Sequence, residues 1–195
     1  MGKVKYIQDI RNFFKKNNIV DINSLKRFIQ KQNGNEKYIY LMINNMINKG
    51  EIKRVTRGYY SINDDPIISI FCFKPSYIGL QSALSIHNLW EQETIPIIIT
   101  TGKIRQGIRS VNENNVMLHR ISPRYFFGID YTKEGNIYIP VSDIEKTFID
   151  LIYFKQKIDK GLLKEFKKRI NKKKLINYAR KYPKKIYNKI VETAG

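Results

Sequence analysis

The sequence is poor in cysteine and histidine and has no long apolar run. It contains one cysteine, Cys72, and two histidines among 195 residues, which excludes an internal disulfide and a cysteine-based zinc site within one chain. No segment approaches 18 consecutive apolar residues, and no apolar stretch after Met1-Gly2-Lys3-Val4-Lys5 could act as a signal peptide. These absences predict a cytoplasmic protein without a membrane partner, a metal or another cofactor.

Acidic residues are also scarce. The chain has 17 of them against 36 Lys and Arg, a formal net charge of +19. Residues 1–63 carry +9, residues 64–153 carry −2 and residues 154–195 carry +12. Nucleic acid and an anionic membrane are the candidate partners of so basic a chain. The low aromatic content of the polar face of the basic C-terminal helices disfavours the membrane.

The first fifty residues have the periodicity of three helices. Apolar side chains recur at helical spacing, and Asn17-Asn18, Asn33-Gly34 and Gly50 interrupt the pattern. Asn23 or Ser24 is the expected cap of the second helix, and the third is expected from about Asn35 to Lys49. The expected inward residues are Val4, Ile7, Ile10 and Phe14, then Leu25, Phe28 and Ile29, then Ile39, Met42, Ile43, Met46 and Ile47.

A basic β-hairpin is predicted over Glu51–Ile62, with its turn at Arg57-Gly58. Three helices followed by a basic hairpin are typical of a winged helix-turn-helix, whose third helix enters the major groove of DNA. A protein–protein module is the alternative reading of this arrangement. The predicted DNA-binding residues are Lys37, Tyr38, Tyr40, Leu41, Asn44, Asn45 and Asn48 on the third helix and Lys53, Arg54 and Arg57 on the hairpin.

The rest of the chain is predicted to mix helices and strands. Asp64-Asp65-Pro66 indicates a domain boundary. A helix over Ser76–Asn88 and strands over Ile95–Thr100, Val116–Ile121, Tyr125–Gly128 and Ile137–Ile139 are expected, followed by a helix that opens with the capping box Ser142-Asp143-Ile144-Glu145.

The fold class is therefore α+β, in three parts. A winged helix-turn-helix domain occupies residues 1–63, and an α+β antitoxin-like domain, so named for the resemblance given below, occupies residues 64–155. A basic helical segment, residues 156–195, packs on the middle domain, and its lysines are candidates for extra phosphate contacts.

Enzyme chemistry has little support in the sequence. Gly102-Lys103 lacks the upstream glycine loop of a phosphate-binding motif, and nothing resembles a nucleophile elbow. Asp143, Glu145 and Lys146 suit a metal-dependent nuclease, although the capping box also explains Glu145. The expectation is that the protein is not an enzyme, and the nuclease is kept as an alternative.

Several segments of the middle domain resemble a known family. They are Tyr77–Leu89, Thr100–Lys103 with Arg109, His119–Ile121, Phe127-Gly128, and Ile139–Val141 leading into Glu145–Leu151. Together with Gly50–Tyr60, these segments are similar in order and spacing to the AbiEi-type antitoxins of type IV toxin–antitoxin systems. The resemblance covers about residues 5 to 155.

This resemblance implies a repressor that binds inverted repeats in its own promoter, as two copies that meet on the DNA. It also implies a C-terminal domain that counteracts a nucleotidyltransferase-type toxin, usually without a stable complex, and no catalytic residue. Lys103, Arg109, His119 and Arg120 are the candidate residues of that antitoxin domain. Proteins of this architecture also occur as transcriptional regulators with no toxin partner, which is a further alternative.

Overall fold

The structure is a computed structural model that describes residues 2–32, 35–91, 95–111 and 114–195, with side chains from Tyr6 onward. It is a mixed α+β protein that divides into two compact units. The first comprises Met1–Cys72 with Ser110–Asn114, and the second comprises Phe73–Arg109 with Asn115–Gly195. The expected inward position of Val4 and the expected helix break at Asn33-Gly34 lie outside the described residues.

The first unit contains three helices and three short strands. Its elements are α1 (Gly2–Lys16), β1 (Val20–Asp21), α2 (Ile22–Gln30), a 3₁₀ turn (Glu36–Tyr38), α3 (Ile39–Asn48), β2 (Lys53–Thr56), β3 (Tyr59–Ser61) and a 3₁₀ turn (Pro66–Cys72). The strands form an antiparallel sheet in the order β1-β3-β2.

Local hydrogen bonds define where these helices begin and end. The cap of α2 is Asp21, whose carboxylate accepts from the backbone N–H groups of Asn23 and Ser24 at 3.0 Å. The prediction of Asn23 or Ser24 as the cap was therefore wrong by two or three positions. At the end of α3, Gly50 adopts φ +68°, and the Glu51 N–H reaches the Met46 carbonyl at 2.9 Å, which closes the helix in a Schellman motif.

The core of the first unit lies between the three helices and the sheet. Most of the predicted inward residues are buried, whereas Ile7, Phe28, Met42 and Ile47 are half-buried at the rim. The core side chains are Ile10, Phe14, Val20, Leu25, Ile29, Ile39, Ile43, Met46, Ile52 and Tyr60.

The second unit is a six-stranded mixed sheet with five helices. Its elements are β4 (Ser76–Ile78), α4 (Leu80–Ile86), β5 (Ile97–Thr100), β6 (Gly107–Val111), β7 (Asn114–Arg120), a 3₁₀ turn (Pro123–Tyr125), β8 (Ile129–Glu134), β9 (Ile137–Ser142), α5 (Ile144–Tyr153), α6 (Lys160–Arg169), α7 (Lys172–Ala179) and α8 (Lys184–Ala194). The strand order is β6-β7-β5-β4-β9-β8. The β4–β9 and β5–β7 pairs are parallel, whereas β4–β5 and β8–β9 are antiparallel.

Three predictions for this part of the chain were wrong. Ser76–Ile78 is a strand, not the start of a helix, because it pairs with β5 and β9. Tyr125–Gly128 is the end of a 3₁₀ turn followed by a loop, and not a strand. The cap of α5 is Asp143 rather than Ser142, since the Asp143 carboxylate accepts from the Lys146 N–H at 2.7 Å.

The C-terminal helices share one core with the sheet and α5. Leu162, Phe166, Leu175, Ala179 and Ile190 are buried in the same cluster as Tyr77 and Phe148. The sequence-based division put a boundary after residue 63, whereas the first unit extends to Cys72. Residues 156–195 were predicted as a segment that packs on the middle domain; they do pack there, as part of the second unit. Among the described residues, no helix has both the length and the apolar character needed to cross a membrane.

Candidate nucleic-acid interface and buried charge network

Helix α3 has one buried and one exposed face. Ile39, Ile43 and Met46 are buried. The exposed side chains are those predicted to contact DNA, and we call them the α3 outer face: Lys37, Tyr38, Tyr40, Leu41, Asn44, Asn45 and Asn48. Tyr38, Tyr40 and Leu41 are each about half exposed, so three large side chains lie near one another on the surface at the start of α3.

The start of the outer face is held by local contacts. The Asn35 side chain accepts from the Lys37 backbone N–H at 2.9 Å and so fixes the turn that precedes α3. Lys26 of α2 lies over the Tyr40 ring, with its Nζ 5.3 Å from the ring centroid. Lys37 is exposed next to them, and the outer face therefore combines amide, aromatic and cationic groups.

The β2–β3 hairpin presents the three basic residues singled out in the sequence. Lys53, Arg54 and Arg57 are exposed, and Gly58 adopts φ +80° in the turn. The Lys53 Nζ lies 2.8 Å from an Asp64 carboxylate oxygen, but both side chains are at least half exposed, so this pair contributes little to stability. Among the described residues, Arg54 and Arg57 have no ion pair.

Apart from Asp64, three acidic groups of the first unit are engaged in other contacts. Arg11 of α1 donates two 2.7 Å hydrogen bonds to Glu51, and these bonds lower the pKa of that carboxyl. Asp21 caps α2, and Glu36 accepts from Gln30. The α3 outer face and the hairpin therefore form a neutral-to-basic surface suited to an anionic partner.

The four candidate antitoxin residues occupy separate places in the second unit. Lys103 is exposed in the loop after β5, and Arg109 on β6 donates to the Arg105 carbonyl at 3.0 Å. His119 packs against Phe154, with ring centroids 4.9 Å apart, and burial lowers its pKa. Arg120 follows it on β7 and is exposed. No hydrogen bond or ring contact joins any two of these four residues, all of which are described.

A buried charge network lies beneath α5, and the sequence analysis did not foresee it. Lys146 and Asp150 are fully buried and form an ion pair one helical turn apart. The Lys146 ammonium donates to the Tyr77 hydroxyl at 3.0 Å, and Tyr77 in turn donates to Asp150 at 2.8 Å. The Lys146 Nζ is also 3.3 Å from the Tyr182 hydroxyl. The network thus joins α5 to β4 and to the connection between α7 and α8.

Burial and attraction act in opposite directions on the two ionised groups. Burial lowers the pKa of Lys146 and raises the pKa of Asp150, whereas each charge favours the ionised form of the other. Burial also raises the pKa of Tyr77 well above its ordinary value, so this phenol stays protonated and donates to Asp150. We assign an ion pair, because each of the two Asp150 carboxylate oxygens accepts a hydrogen bond, one from Lys146 and the other from Tyr77.

Asp143 and Glu145, the other two residues of the nuclease hypothesis, contact α7. The Lys174 ammonium lies 3.1 Å from Asp143 and 3.0 Å from Glu145. Glu145 also accepts from the Asn171 N–H at 2.8 Å, so it does not complete a capping box at α5. Lys146, the amine of the nuclease hypothesis, is fully buried and out of reach of a substrate. Within the described ranges, no group of three His, Cys, Asp or Glu could hold a metal ion.

The last three helices present a strongly basic surface. Every Lys and Arg of α6 and α8 is exposed, as are Lys172 and Lys173 of α7. Two of the three acids in this segment have local roles, since Asp159 caps α6 and Glu165 lies 2.6 Å from Lys168. The exposed charge of this surface is therefore largely uncompensated.

Comparisons with known proteins bear on the fold. No protein-family model matches the chain, and no curated protein matches it. The crystal structure of the RV2827C protein from Mycobacterium tuberculosis is similar, with a TM-score of 0.61 and 9% sequence identity. The match covers 97% of this chain and 76% of that chain. This likeness shows that nearly the whole chain has an architecture found in a solved protein.

Proposed function

We propose that this protein is a DNA-binding transcriptional regulator whose first unit is a winged helix-turn-helix. The observation that carries the proposal is the pairing of an exposed, acid-free α3 with a basic hairpin in one small unit. The order helix, strand, helix, helix, hairpin and the sheet order β1-β3-β2 support it. In DNA-binding proteins of this kind, the third helix lies in the major groove.

The α3 outer face has the chemistry needed to contact base edges. An asparagine pairs with the N6 and N7 atoms of adenine through two hydrogen bonds, and apolar side chains contact the thymine methyl group. Asn44 and Asn48 are one helical turn apart and exposed, and Leu41 and Tyr40 lie on the same side of the helix. We assign base contacts to these four residues.

The hairpin has the chemistry needed to contact phosphates. Arg54 and Arg57 carry fixed positive charges at the surface, and an arginine can bind a phosphate through two parallel hydrogen bonds. Contacts of this kind position a protein on the duplex but carry no sequence information. We assign the same role to the exposed lysines of α6 to α8.

We further propose, from the resemblance to AbiEi-type antitoxins, that the regulator represses its own promoter in the cytoplasm and counteracts a nucleotidyltransferase-type toxin. The second unit is the part to which this antitoxin role is assigned. A regulator with no toxin partner is the alternative, and a gene for such a toxin next to this one would favour the antitoxin. No contact favours the nuclease alternative, since Lys146 lies in the core.

The test is binding of the purified protein to the DNA upstream of its own gene and to a scrambled duplex of equal length, at 50 and 200 mM salt. We expect a preference for the upstream DNA of roughly 10³ or more that persists at the higher salt. Equal affinity for both duplexes, lost at the higher salt, would mean that the +19 chain binds DNA only through non-specific electrostatic contacts. This result would overturn the proposal.

A further inference from the structure

Helix α3 carries no charged side chain. Its ten residues, Ile39–Asn48, include no Lys, Arg, His, Asp or Glu. Lys37 precedes the helix and Lys49 follows it, and Lys26 of α2 lies over the Tyr40 ring at one side of it. A helix of this composition can distinguish bases only through its amide, hydroxyl and apolar groups.

The exposed side chains of α3 are ordered across its outer face. Leu41, Asn44 and Asn48 follow one another at spacings of three and four residues, so they line a single stripe along the helix. Tyr40 lies on one side of this stripe and Asn45 on the other. Asn44 and Asn48 are about 6 Å apart along the helix axis, whereas successive base pairs are about 3.4 Å apart. Each amide can therefore reach a different base pair.

These groups match the major-groove edge of A·T pairs. Adenine presents an acceptor at N7 and a donor at N6, which one asparagine amide satisfies with two hydrogen bonds, and thymine presents a methyl group for an apolar side chain. Guanine presents two acceptors, N7 and O6, which require the two donors of an arginine or a lysine. An asparagine would place its own carbonyl oxygen against one of them.

Cytosine also lacks a partner on this helix. It presents an N4 donor, which Asp or Glu accepts, and it has no methyl group. The two acids that flank α3 in the chain are engaged elsewhere, since Glu36 accepts from Gln30 and Glu51 accepts from Arg11. The outer face of α3 therefore has the groups that A·T pairs need and lacks those that G·C pairs need.

We infer that α3 selects A·T base pairs, so that the DNA site of this protein has a core of A·T pairs beneath Leu41, Asn44 and Asn48. The inference rests on the duplex-binding function proposed above and adds the class of sequence that the helix recognises. Lysine contacts with guanine are confined to the edges of the site, since Lys37 and Lys49 lie beyond the two ends of the helix.

The test starts from a library of random-sequence duplexes, from which the purified full chain selects its site at 200 mM salt. We expect the enriched site to have A·T pairs at its core. Each replacement of one core A·T pair by G·C should weaken binding about 10-fold in fluorescence anisotropy. Uracil in place of thymine removes only the methyl group, and 7-deazaadenine removes only the N7 acceptor. Each of these changes should weaken binding about 3-fold or more.

Inosine·cytosine pairs distinguish the two grooves. Inosine lacks the N2 amino group of guanine, so this pair resembles A·T in the minor groove and G·C in the major groove. Because α3 is assigned to the major groove, inosine·cytosine pairs in the core should weaken binding as much as G·C pairs do. Binding as tight as that of A·T would assign the selection to the minor groove, where Arg54 or Arg57 can read the groove width. That result would overturn the inference.

Variants of the stripe connect each contact to one side chain. Asn44→Ala should abolish the penalty for 7-deazaadenine at one position, and Leu41→Ala should abolish the penalty for uracil at one position. Asn44→Arg should change the preferred base at one position from adenine to guanine. Arg57→Ala is the matched control on the hairpin and should keep every penalty. Asn44 and Leu41 are exposed, and thermal unfolding checks that each variant keeps the fold.

The outcomes separate this inference from the proposed function. A selected site whose core consists of G·C pairs, or binds equally well after exchange of A·T for G·C, would overturn the inference and leave the duplex-binding function intact. Penalties that persist unchanged in Asn44→Ala and Leu41→Ala would also overturn it. A library from which no sequence is enriched would overturn the proposed function as well, because the protein would then not read duplex DNA at all.

Discussion

Replacing Lys146 with methionine tests whether the buried charge network holds the second unit together. Methionine keeps an unbranched side chain one heavy atom shorter than lysine and removes the charge, which leaves the Asp150 carboxylate buried with the Tyr77 hydroxyl as its remaining partner. Removing one member of a buried ion pair typically costs about 3–5 kcal/mol, because the other charge is left uncompensated. We expect a loss of this size in the free energy of unfolding at pH 7.

The loss should depend on pH in a specific direction. Lys146 lowers the pKa of Asp150 while burial raises it, so in Lys146→Met the folded pKa of Asp150 rises further above the unfolded value of about 4. A carboxyl group with a raised folded pKa destabilises the folded state increasingly as the pH rises from the unfolded pKa through the folded one. The difference from the wild type should therefore be smallest near pH 4 and largest above neutrality.

The single tryptophan provides the assay. Trp90 packs against the core of the second unit, so its fluorescence during urea unfolding reports on that unit. The matched control is Lys168→Met, which removes an exposed helical ion pair with Glu165 and should leave the midpoint unchanged. The double variant Lys146→Met/Asp150→Asn keeps an acceptor for Tyr77 without a charge and should regain most of the loss. Equal stability of Lys146→Met and Lys168→Met, or a loss independent of pH, would refute the reasoning.

Four further predictions concern the first unit and the basic helices. Asn44→Ala should lower affinity for the upstream duplex by about 1–3 kcal/mol without changing affinity for a scrambled one, and equal losses on both would contradict a base contact. Arg57→Ala should weaken binding to both duplexes alike and reduce the slope of log K against log salt by about one. The double variant Lys172→Gln/Lys173→Gln should reduce this slope by about two. Unchanged slopes would exclude phosphate contacts at these residues. Asp21→Ala removes the cap of α2 and should destabilise the first unit by about 1 kcal/mol in thermal unfolding, with no change in the Trp90 transition.

The first unit could be predicted from the sequence because its signals are local. Apolar residues repeat at helical spacing, Gly50 ends α3 and Gly58 allows the hairpin turn, all within short windows. The strand β4 could not be predicted in this way, since Tyr77, Leu80 and Leu84 also fit a helical stripe. Ile78 is a strand residue because it pairs with Val141, far along the chain, and no local pattern carries that information.

The candidate sites were predictable to different extents. The residues of the α3 outer face are exposed as expected because helical periodicity alone separates them from the buried stripe. Lys146 was placed with Asp143 and Glu145 in the candidate nuclease group because it follows them in the sequence, yet its partners include Tyr77, 69 residues away. One signal was present: Asp150 interrupts the otherwise apolar run Phe148–Ile152, and Lys146 lies one helical turn before it, where the two side chains can pair.

The strand order of the sheet also determines when each unit can fold during synthesis. The helices and hairpin of the first unit have all been synthesised once Ser61 has been added, but β4 lacks one of its two neighbours until β9, about sixty residues after β4, is available. At typical translation rates of about 5–20 residues per second, this gap lasts roughly 3–12 s. During that interval β4 can pair only with β5. The elements proposed to bind duplex DNA, α3 and the β2–β3 hairpin, can by then be folded, so the first unit can form in the nascent chain before the second unit is complete.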